Sequence, residues 1–400
     1  MAIKRVNVDD LRAGMYVHDL NCNWLDHGFF RQRFLLKHGG QIQKMKSHGL
    51  KEVYIDTALG EDLSSAPVQE EIQRGLRRRL EATQGGASLA PGKVPQKEEA
   101  VEARRILGEA SGVVEALMQD VRLGRQMDSA KADPLVKEIH ASVLRNPGAL
   151  ISLGRIKAAD TYTFQHSVSI SALLVAFTHA MGMDAATVHE AGLGGLLHDV
   201  GKMKIPNEIL NKPGRLTEEE FGVMKSHAAL SRDLLIGVPG ISEMVIQIAG
   251  EHHEKIAGGG YPLGIAGDQI SQIGRMTAIV DVYDALTSNR VYHKGKEPTE
   301  VLKSLLEWSG THLDGDLVQQ FIRALGIYPV GSLVKLSGGR LAVVVEQGQN
   351  LLRPTVRVVY DTGRKLRLEP RDLNLTKATA EEILDYEDPL EWKLDPGSYL

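Results

Sequence analysis

The feature that most restricts the fold of this chain is a long central region, residues 155–325, with the apolar spacing of helices. Glycine or proline separates its segments, and runs rich in β-branched residues are few. This pattern predicts an all-α domain of six or more helices. With 42% hydrophobic residues among 400, the chain can also form smaller modules, because single cores rarely grow beyond roughly 250–300 residues.

The flanking segments have different patterns. Residues 1–60 alternate short apolar runs with Gly, Asp and Asn, which predicts a small α/β module of unknown role. After Pro329 the apolar residues recur with period two, which predicts four antiparallel strands, and residues 375–400 are expected to form a short helix and a loose tail. We therefore expect a mainly α protein with a small N-terminal α/β module and a small C-terminal antiparallel β module. The predicted division is 1–60, a charged and Gly/Pro-rich linker over 61–100 with a short helix near 70–82, connecting helices over 101–150, the helical domain over 151–326, and the β module over 327–400.

Charge and cysteine content exclude several classes of function. The formal net charge is −4 and no long block of Lys and Arg occurs, so we expect no binding of duplex nucleic acid. Cys22 is the only cysteine, which excludes an intrachain disulfide framework and a thiolate-rich zinc module. No segment reaches the roughly 18 apolar residues of a membrane span. The sequence therefore predicts a cytoplasmic protein that is neither exported nor embedded in a membrane.

Histidines and aspartates form the most informative cluster in the central region. His198-Asp199 ends an apolar helical segment before Gly201, and His252-His253 ends another. One such pair alone is more often an ordinary helix end, but two pairs in one helical domain favour a metal site. Imidazole and carboxylate without thiolate suit iron, manganese, zinc or nickel.

Two further segments add potential ligands. His227 follows a capping-box-like helix start at Thr217, so it lies where a helix face can point inward. Asp281 lies in an otherwise apolar helical segment, where a carboxylate is costly to bury unless it is paired or binds a metal. Asp284, three residues further on, is either a structural cap or a hydrogen-bond acceptor behind the metal ligands.

Several of these motifs, in their order along the chain, resemble the HD-GYP family of cyclic di-GMP phosphodiesterases, which belong to the HD superfamily of metal-dependent phosphohydrolases. The resemblance covers about residues 155–325 and is specific, because independent motifs agree in order. The first 60 residues also resemble the small uncharacterised domain that often precedes HD-GYP domains. The matching motifs are His198-Asp199-Val200-Gly201-Lys202, Ile205-Pro206, Lys212-Pro213-Gly214, Met224-Lys225-Ser226-His227, His252-His253-Glu254, Gly260-Tyr261-Pro262 and Asp284-Ala285-Leu286-Thr287-Ser288.

The resemblance implies a set of metal ligands. In the arrangement of the wider superfamily, Asp199 bridges two divalent ions, with iron or manganese favoured and nickel or zinc also compatible. Some family members bind a third ion through a glutamate one helical turn before the first histidine, but this chain has Tyr162 there, so we predict two ions. The implied ligands are His166, His198, Asp199 and Asp281 for one ion, and Asp199, His227, His252 and His253 for the other.

The resemblance also implies a mechanism. Two ions can bridge a hydroxide, lower its pKa and neutralise the charge of a phosphodiester. Asp199 and Lys202 are the implied catalytic residues; Lys202 would contact the phosphate or protonate the leaving oxygen, although a lysine at a helix end is commonly only solvated. The implied substrate-binding residues are Arg290, Lys294, Gly260 and Tyr261. Where the family typically has a lysine three residues after Arg290, this chain has His293, followed by Lys294.

The implied reaction is hydrolysis of cyclic di-GMP to pGpG, with further hydrolysis to GMP left open. Two alternatives remain. One is the same chemistry on another cyclic dinucleotide such as cyclic GMP-AMP, because no motif reads guanine. The other is a poorly active receptor that binds the nucleotide and relays through the flanking modules. The loop at Gly260-Tyr261-Pro262 contacts either the substrate or diguanylate cyclase domains, and the oligomeric state is not encoded in any motif.

Overall fold

The computed structural model describes residues 2–22, 33–83, 92–154, 162–288 and 295–400. The N-terminal module is an antiparallel sheet with one helix. Its elements are β1 (Ile3–Asn7), β2 (Tyr16–Asp19), β3 (Phe34–Leu35), α1 (Gly39–Ser47) and β4 (Glu52–Asp56), and the strand order is β1-β4-β2-β3. Met15, Val17, Met45 and Ile55 are buried between the sheet and α1.

Helices make up the next part of the chain. Side-chain caps set several helix starts: Thr217 begins the helix Glu218–Ile236 with a capping box, and Asp184, Ser242 and Ser271 cap the helices that begin at Ala185, Glu243 and Gln272. The helices are α2 (Gln69–Ala82), α3 (Gln96–Arg122), α4 (Asp133–Arg145), α5 (Pro147–Gly154), α6 (Tyr162–Ala180), α7 (Ala185–Leu197), α8 (Asn207–Leu210), α9 (Glu218–Ile236), α10 (Glu243–Glu251), α11 (Gln272–Thr287), α12 (Pro298–Glu307) and α13 (Gly315–Leu325).

The core of the helical domain surrounds α6 and α11. Ile170, Leu174 and Phe177 of α6 are buried against Ile279 and Tyr283 of α11 and neighbouring apolar side chains. Both helices are apolar on most of their circumference, which is the pattern of helices buried on all sides. Polar groups on such helices face the interior only where a partner compensates for the lost hydration.

Helix α2 lies within the segment that was predicted as a linker. Its bounds agree with the short helix expected near residues 70–82. Leu76 and Leu80 are buried in the same core as α12, and Arg77 Nη1 lies 3.3 Å from Asp385 Oδ2. The apolar side of this helix therefore packs in the core of the helical domain, and its polar side contacts the C-terminal sheet at Asp385.

The C-terminal sheet has one strand more than the sequence pattern predicts. Its strands are β5 (Leu333–Leu336), β6 (Arg340–Glu346), β7 (Thr355–Asp361), β8 (Leu366–Asn374) and β9 (Ile383–Tyr386), in the antiparallel order β8-β7-β6-β5-β9. The expectation of only a short helix and a loose tail over residues 375–400 is wrong for β9, which pairs Val334 with Tyr386. Strand β9 has only four residues, one of which is Asp385, so it is too short to give a clear strand pattern, and pairing with β5 stabilises it.

The architecture confirms the predicted fold class, a mainly α protein with a small sheet at each end. Within the described ranges, no helix combines the length and the apolar character that crossing a membrane requires.

Candidate metal centre

Three helices and the ends of two others bring all seven predicted metal ligands into one buried cluster. Their side chains lie between α6, α7, α9, α10 and α11, and the most exposed of them, His253, is 17% exposed. The ligands are His166 on α6, His198 and Asp199 directly after α7, His227 on α9, His252 and His253 directly after α10, and Asp281 on α11.

Glycines allow the backbone to approach closely enough to form this cluster. A Cβ on Gly195 would lie 2.9 Å from the backbone of Ser171, so α7 packs directly on α6. A Cβ on Gly201 would lie 2.3 Å from the carbonyl oxygen of His227, and the Gly201 N–H donates to Ser231 Oγ at 2.8 Å. The turn after Asp199 therefore rests on α9, beside His227.

The two carboxylate oxygens of Asp199 face different histidines. Oδ2 lies 3.2 Å from His198 Nε2 and 3.7 Å from His166 Nε2. Oδ1 lies 3.3 Å from His227 Nε2 and 3.9 Å from His252 Nε2. Asp199 thus stands between two groups of imidazoles.

Asp281 approaches both groups as well. Its Oδ1 lies 3.1 Å from His166 Nε2, and its Oδ2 lies 3.9 Å from His253 Nδ1. The ligand atoms of His166, His198 and Asp199 lie within 4.8 Å of one another, as do those of His227, His252 and His253. The donor sets match the division into two ions that the family resemblance implies.

The hydrogen bonds of three histidines leave a ligand atom directed into the cluster. Each Nδ1 atom lies close to a backbone carbonyl oxygen. The distance is 2.8 Å from His198 Nδ1 to Gly195, 2.6 Å from His227 Nδ1 to Met224, and 2.9 Å from His252 Nδ1 to Ala249. An Nδ1–H that donates to a carbonyl leaves Nε2 as an acceptor. All three Nε2 atoms are buried and have no hydrogen-bond partner among the described residues. A divalent cation is the partner that such a set of lone pairs fits.

Burial also favours the neutral form of His227 and His252, as metal ligation requires. Burial likewise opposes the charged form of His198, but the neighbouring Asp199 raises the pKa of His198. Burial lowers the pKa of His227 to about 4 and the pKa of His252 to about 3. Burial alone would raise the pKa of Asp199, but the neighbouring charges of His198 and Lys202 hold it well below its usual value. Burial would likewise raise the pKa of Asp281, but the hydrogen bond from His166 and the charge of His166 hold that pKa well below its usual value. The carboxylates are therefore ionised.

Asp284 supports a ligand rather than joining the cluster. Its Oδ2 lies 2.6 Å from His166 Nδ1, and both side chains are buried. This contact orients the ring so that Nε2 faces Asp199 and Asp281. Of the two roles left open by the sequence, this contact favours the hydrogen-bond acceptor behind His166, a predicted metal ligand.

Lys202 and the glycine-rich loop border the cluster. Lys202 Nζ donates a hydrogen bond to Asp199 Oδ2. The Tyr261 ring lies over His253, with ring centroids 4.6 Å apart. Gly260 is tightly packed, since a Cβ there would lie 2.5 Å from the Glu254 Cα.

Three predicted positions cannot be placed. Arg290 and Lys294, the predicted substrate-binding cations, and His293 lie outside the described residues. For Tyr162, only the place at the start of α6 is described.

Lys225 and Glu254 were not singled out by the sequence reasoning. The Lys225 ammonium lies 5.8 Å from the centroid of the Tyr261 ring and 5.2 Å from that of Phe221. Glu254 Oε1 accepts hydrogen bonds from the backbone N–H groups of Leu263 and Gly264, at 2.6 and 3.0 Å. Both residues occur within the matching motifs, but only the folded loop brings Lys225 to Tyr261 and Glu254 to the backbone of Leu263 and Gly264.

Comparison with known proteins places these features in a family. Residues 150–317 match the HD domain family, and residues 3–132 match a domain of unknown function, DUF3391. The chain is 41% identical to cyclic di-GMP phosphodiesterase PA4108 of Pseudomonas aeruginosa over 98% of this chain and 93% of that protein.

Two other relatives match a smaller part of the chain. A 3'3'-cGAMP-specific phosphodiesterase 1 of Vibrio cholerae is 36% identical over 44% of this chain and 41% of that protein. A cyclic di-GMP phosphodiesterase of Thermotoga maritima is 34% identical over 41% of this chain and 45% of that protein. The nearly full-length similarity, together with the histidine and aspartate cluster, shows that the chain belongs to the HD-GYP family of cyclic di-GMP phosphodiesterases, within the HD superfamily of metal-dependent phosphohydrolases.

Proposed function

We propose that this chain hydrolyses cyclic di-GMP to the linear dinucleotide pGpG with two divalent metal ions, iron or manganese. The observation that carries the proposal is the position of Asp199 between two groups of imidazoles, in which the buried Nε2 atoms of His198, His227 and His252 have no hydrogen-bond partner among the described residues. The names of PA4108 and of the Thermotoga protein support cyclic di-GMP as the substrate. A cytoplasmic location belongs to the same proposal, and the single cysteine supports it.

Each ion would have its own group of ligands, with Asp199 shared between them. When bound, two such ions lower the pKa of a water molecule and neutralise charge on the attacked phosphodiester. The first ion would be held by His166, His198, Asp199 and Asp281, and the second by Asp199, His227, His252 and His253.

The side chains around the ligands would perform the remaining tasks. The carbonyl contacts at Nδ1 fix the histidine rings before any substrate arrives, so little reorganisation is needed. Lys202, whose side chain is 23% exposed, reaches from Asp199 toward solvent and is placed to donate a proton to the leaving oxygen. The Tyr261 ring offers a face for stacking a base. Leu263 next to this loop is exposed, which is compatible with diguanylate cyclase domains as additional partners.

A second substrate has a specific observation in its favour. The Vibrio relative that is named a 3'3'-cGAMP-specific phosphodiesterase is 36% identical to this chain over 176 residues. The ligands described here act on a phosphodiester and would not distinguish guanine from adenine. The chemistry is therefore the same for both substrates, and only a rate comparison separates them.

The test is a parallel assay of the metal-loaded protein with cyclic di-GMP and with 3'3'-cGAMP under anaerobic conditions. We expect pGpG from cyclic di-GMP at a kcat/KM at least about tenfold above that for 3'3'-cGAMP, which corresponds to roughly 1.4 kcal/mol of discrimination. The reverse preference would select the second substrate. Tight binding of both nucleotides without any product would contradict the enzyme and favour a receptor.

Lys225 is a further substrate contact in this proposal. Its ammonium is held beside the Tyr261 ring, and among the described residues no carboxylate forms an ion pair with it. A half-buried cation at the edge of a site for a dianionic nucleotide suits a phosphate. We expect Lys225→Met to raise KM about tenfold with a smaller change in kcat, because a hydrogen bond to a charged group contributes roughly 1.5–3 kcal/mol.

The matched control is Lys137→Met, which removes an exposed lysine of α4 that pairs with Asp133. Steady-state kinetics should show wild-type KM for this variant and partial recovery for Lys225→Arg. Equal KM values for Lys225→Met and the wild type would remove Lys225 from the site.

A further inference from the structure

The N-terminal module, here residues 2–22 and 33–68, contacts the end of α12 through a buried carboxylate. The Tyr54 hydroxyl donates a hydrogen bond to Glu307 Oε1, and Arg5 Nη1 lies 3.7 Å from the same oxygen. The Tyr54 residue is 4% exposed and the Glu307 side chain 7% exposed. A carboxylate this buried is costly without partners, so the contact fixes the module against α12.

A second contact adjoins the first. The indole Nε1–H of Trp308, the residue after α12, donates to Asn21 Oδ1 at 3.1 Å. Trp308 is 8% exposed and packs in the core of the helical domain. Consecutive residues of the helical domain therefore bond to the N-terminal module.

The turn after Trp308 continues the path toward the metal centre. The Trp308 carbonyl accepts hydrogen bonds from the N–H groups of His312 and Leu313, at 3.0 and 3.2 Å. The carbonyls of this turn accept hydrogen bonds from the loop that follows His253. The Ile256 N–H donates to the His312 carbonyl at 3.0 Å, and the Ala257 N–H donates to the Thr311 carbonyl at 3.2 Å. The turn at 308–313 thus holds the loop at 255–260 by two backbone hydrogen bonds.

That loop ends at the Gly260-Tyr261-Pro262 motif. The Tyr261 N–H donates to the His253 carbonyl at 3.2 Å, and the Tyr261 ring lies on the His253 ring. The path from Tyr54 to Tyr261 is therefore continuous in hydrogen bonds, backbone and ring contacts. A displacement of Trp308 would therefore shift the Tyr261 ring, which lies beside the predicted metal ligand His253.

The module also touches the other side of this region. Lys44 of α1 forms an ion pair with Glu218 in the first turn of α9, the helix that carries Lys225 and His227. Both side chains are well exposed, at 38% and 51%, so this pair contributes little to stability. It nevertheless shows that the module reaches both α9 and α12, the two elements on either side of the loop.

We propose that the N-terminal module acts on substrate binding, and that Glu307 and Trp308 are the positioning residues through which it holds the Gly260-Tyr261-Pro262 loop beside the metal centre. The module lies within the domain of unknown function matched over residues 3–132, so the proposal assigns that part of the chain a role. A change in its contacts would alter affinity for the nucleotide without altering any metal ligand. The effect on substrate affinity rests on the proposed phosphodiesterase function, whereas the effect on the loop does not.

The test uses Tyr54→Phe in the full-length, metal-loaded protein. We expect KM for cyclic di-GMP to rise roughly 3–10-fold, as is typical of residues that couple distant sites, with kcat within about twofold of the wild type. The amides of the peptide 255–262 should exchange hydrogen faster, since Ile256 and Ala257 lose part of their protection. Metal content should stay at the wild-type value. Trp308→Phe, which removes the N–H donor to Asn21, should produce the same pattern.

The control is Tyr16→Phe on β2 of the same module, where the hydroxyl forms no hydrogen bond with a described residue. It should leave KM and exchange unchanged. Wild-type exchange at 255–262 in both Tyr54→Phe and Trp308→Phe would overturn the proposal, as would wild-type KM in both. If no cyclic dinucleotide is hydrolysed at all, the phosphodiesterase proposal fails. The hydrogen-exchange measurement alone then decides whether the N-terminal module holds the Gly260-Tyr261-Pro262 loop.

Discussion

Asp199→Ala should lower the hydrolysis of cyclic di-GMP by at least about a thousandfold. The two oxygens of this carboxylate face the two groups of histidines, at 3.2 Å from His198 and 3.3 Å from His227. A metal centre contributes several kcal/mol of charge stabilisation in the transition state, and each 1.36 kcal/mol changes the rate tenfold. Removal of the shared ligand should release at least one ion, so elemental analysis should show fewer than two ions per chain.

Asp199→Asn keeps the shape of the side chain and guards against a folding defect in the alanine variant. It should be almost as inactive, because an amide is a weaker metal ligand and no longer balances the charge of Lys202. Asp233→Ala, which removes an exposed carboxylate of α9 paired with its neighbour Arg232, should retain wild-type turnover. Turnover near the wild-type rate in both Asp199 variants would show that the bridge is not part of the mechanism.

Removal of the metal should abolish hydrolysis and also weaken the fold. Without cations, the buried Nε2 atoms of His198, His227 and His252 lack partners among the described residues. An ion that binds only the folded state stabilises it by about 2.7 kcal/mol at a free concentration one hundred times its dissociation constant. We therefore expect the chelated protein to melt roughly 5 °C or more below the loaded protein.

Two controls separate a specific centre from general effects of the chelator. Addition of manganese or ferrous iron to the chelated protein should restore both hydrolysis and the melting temperature, whereas magnesium, which prefers oxygen ligands, should restore neither. Calorimetry that shows the same melting temperature with and without metal would contradict the assignment of these histidines as ligands.

Most of the predicted ligands have local signals in the sequence, whereas His166 was implied only by the family resemblance. His198-Asp199 and His252-His253 each end an apolar helix, and Asp281 is a carboxylate in an apolar helix, where burial requires compensation. The fold class followed from the same periodicity. These features depend on neighbouring residues in the chain and can therefore be read from the sequence.

The contacts that organise the site could not be predicted in this way. The orientation of Asp199 depends on the close approach of Gly201 to α9, and the Tyr54 to Glu307 hydrogen bond joins residues 253 positions apart. Strand β9 owes its conformation to pairing with β5. Each of these depends on tertiary packing, for which the sequence carries no local pattern.

The most direct measurement of the central claim is an anaerobic titration of manganese into the chelated protein, with the products of cyclic di-GMP separated by chromatography. The two-metal centre predicts no pGpG from the chelated protein and a rate that reaches its plateau at two ions per chain. Formation of pGpG by the metal-free protein, or no product at any ratio of metal to protein, would contradict it.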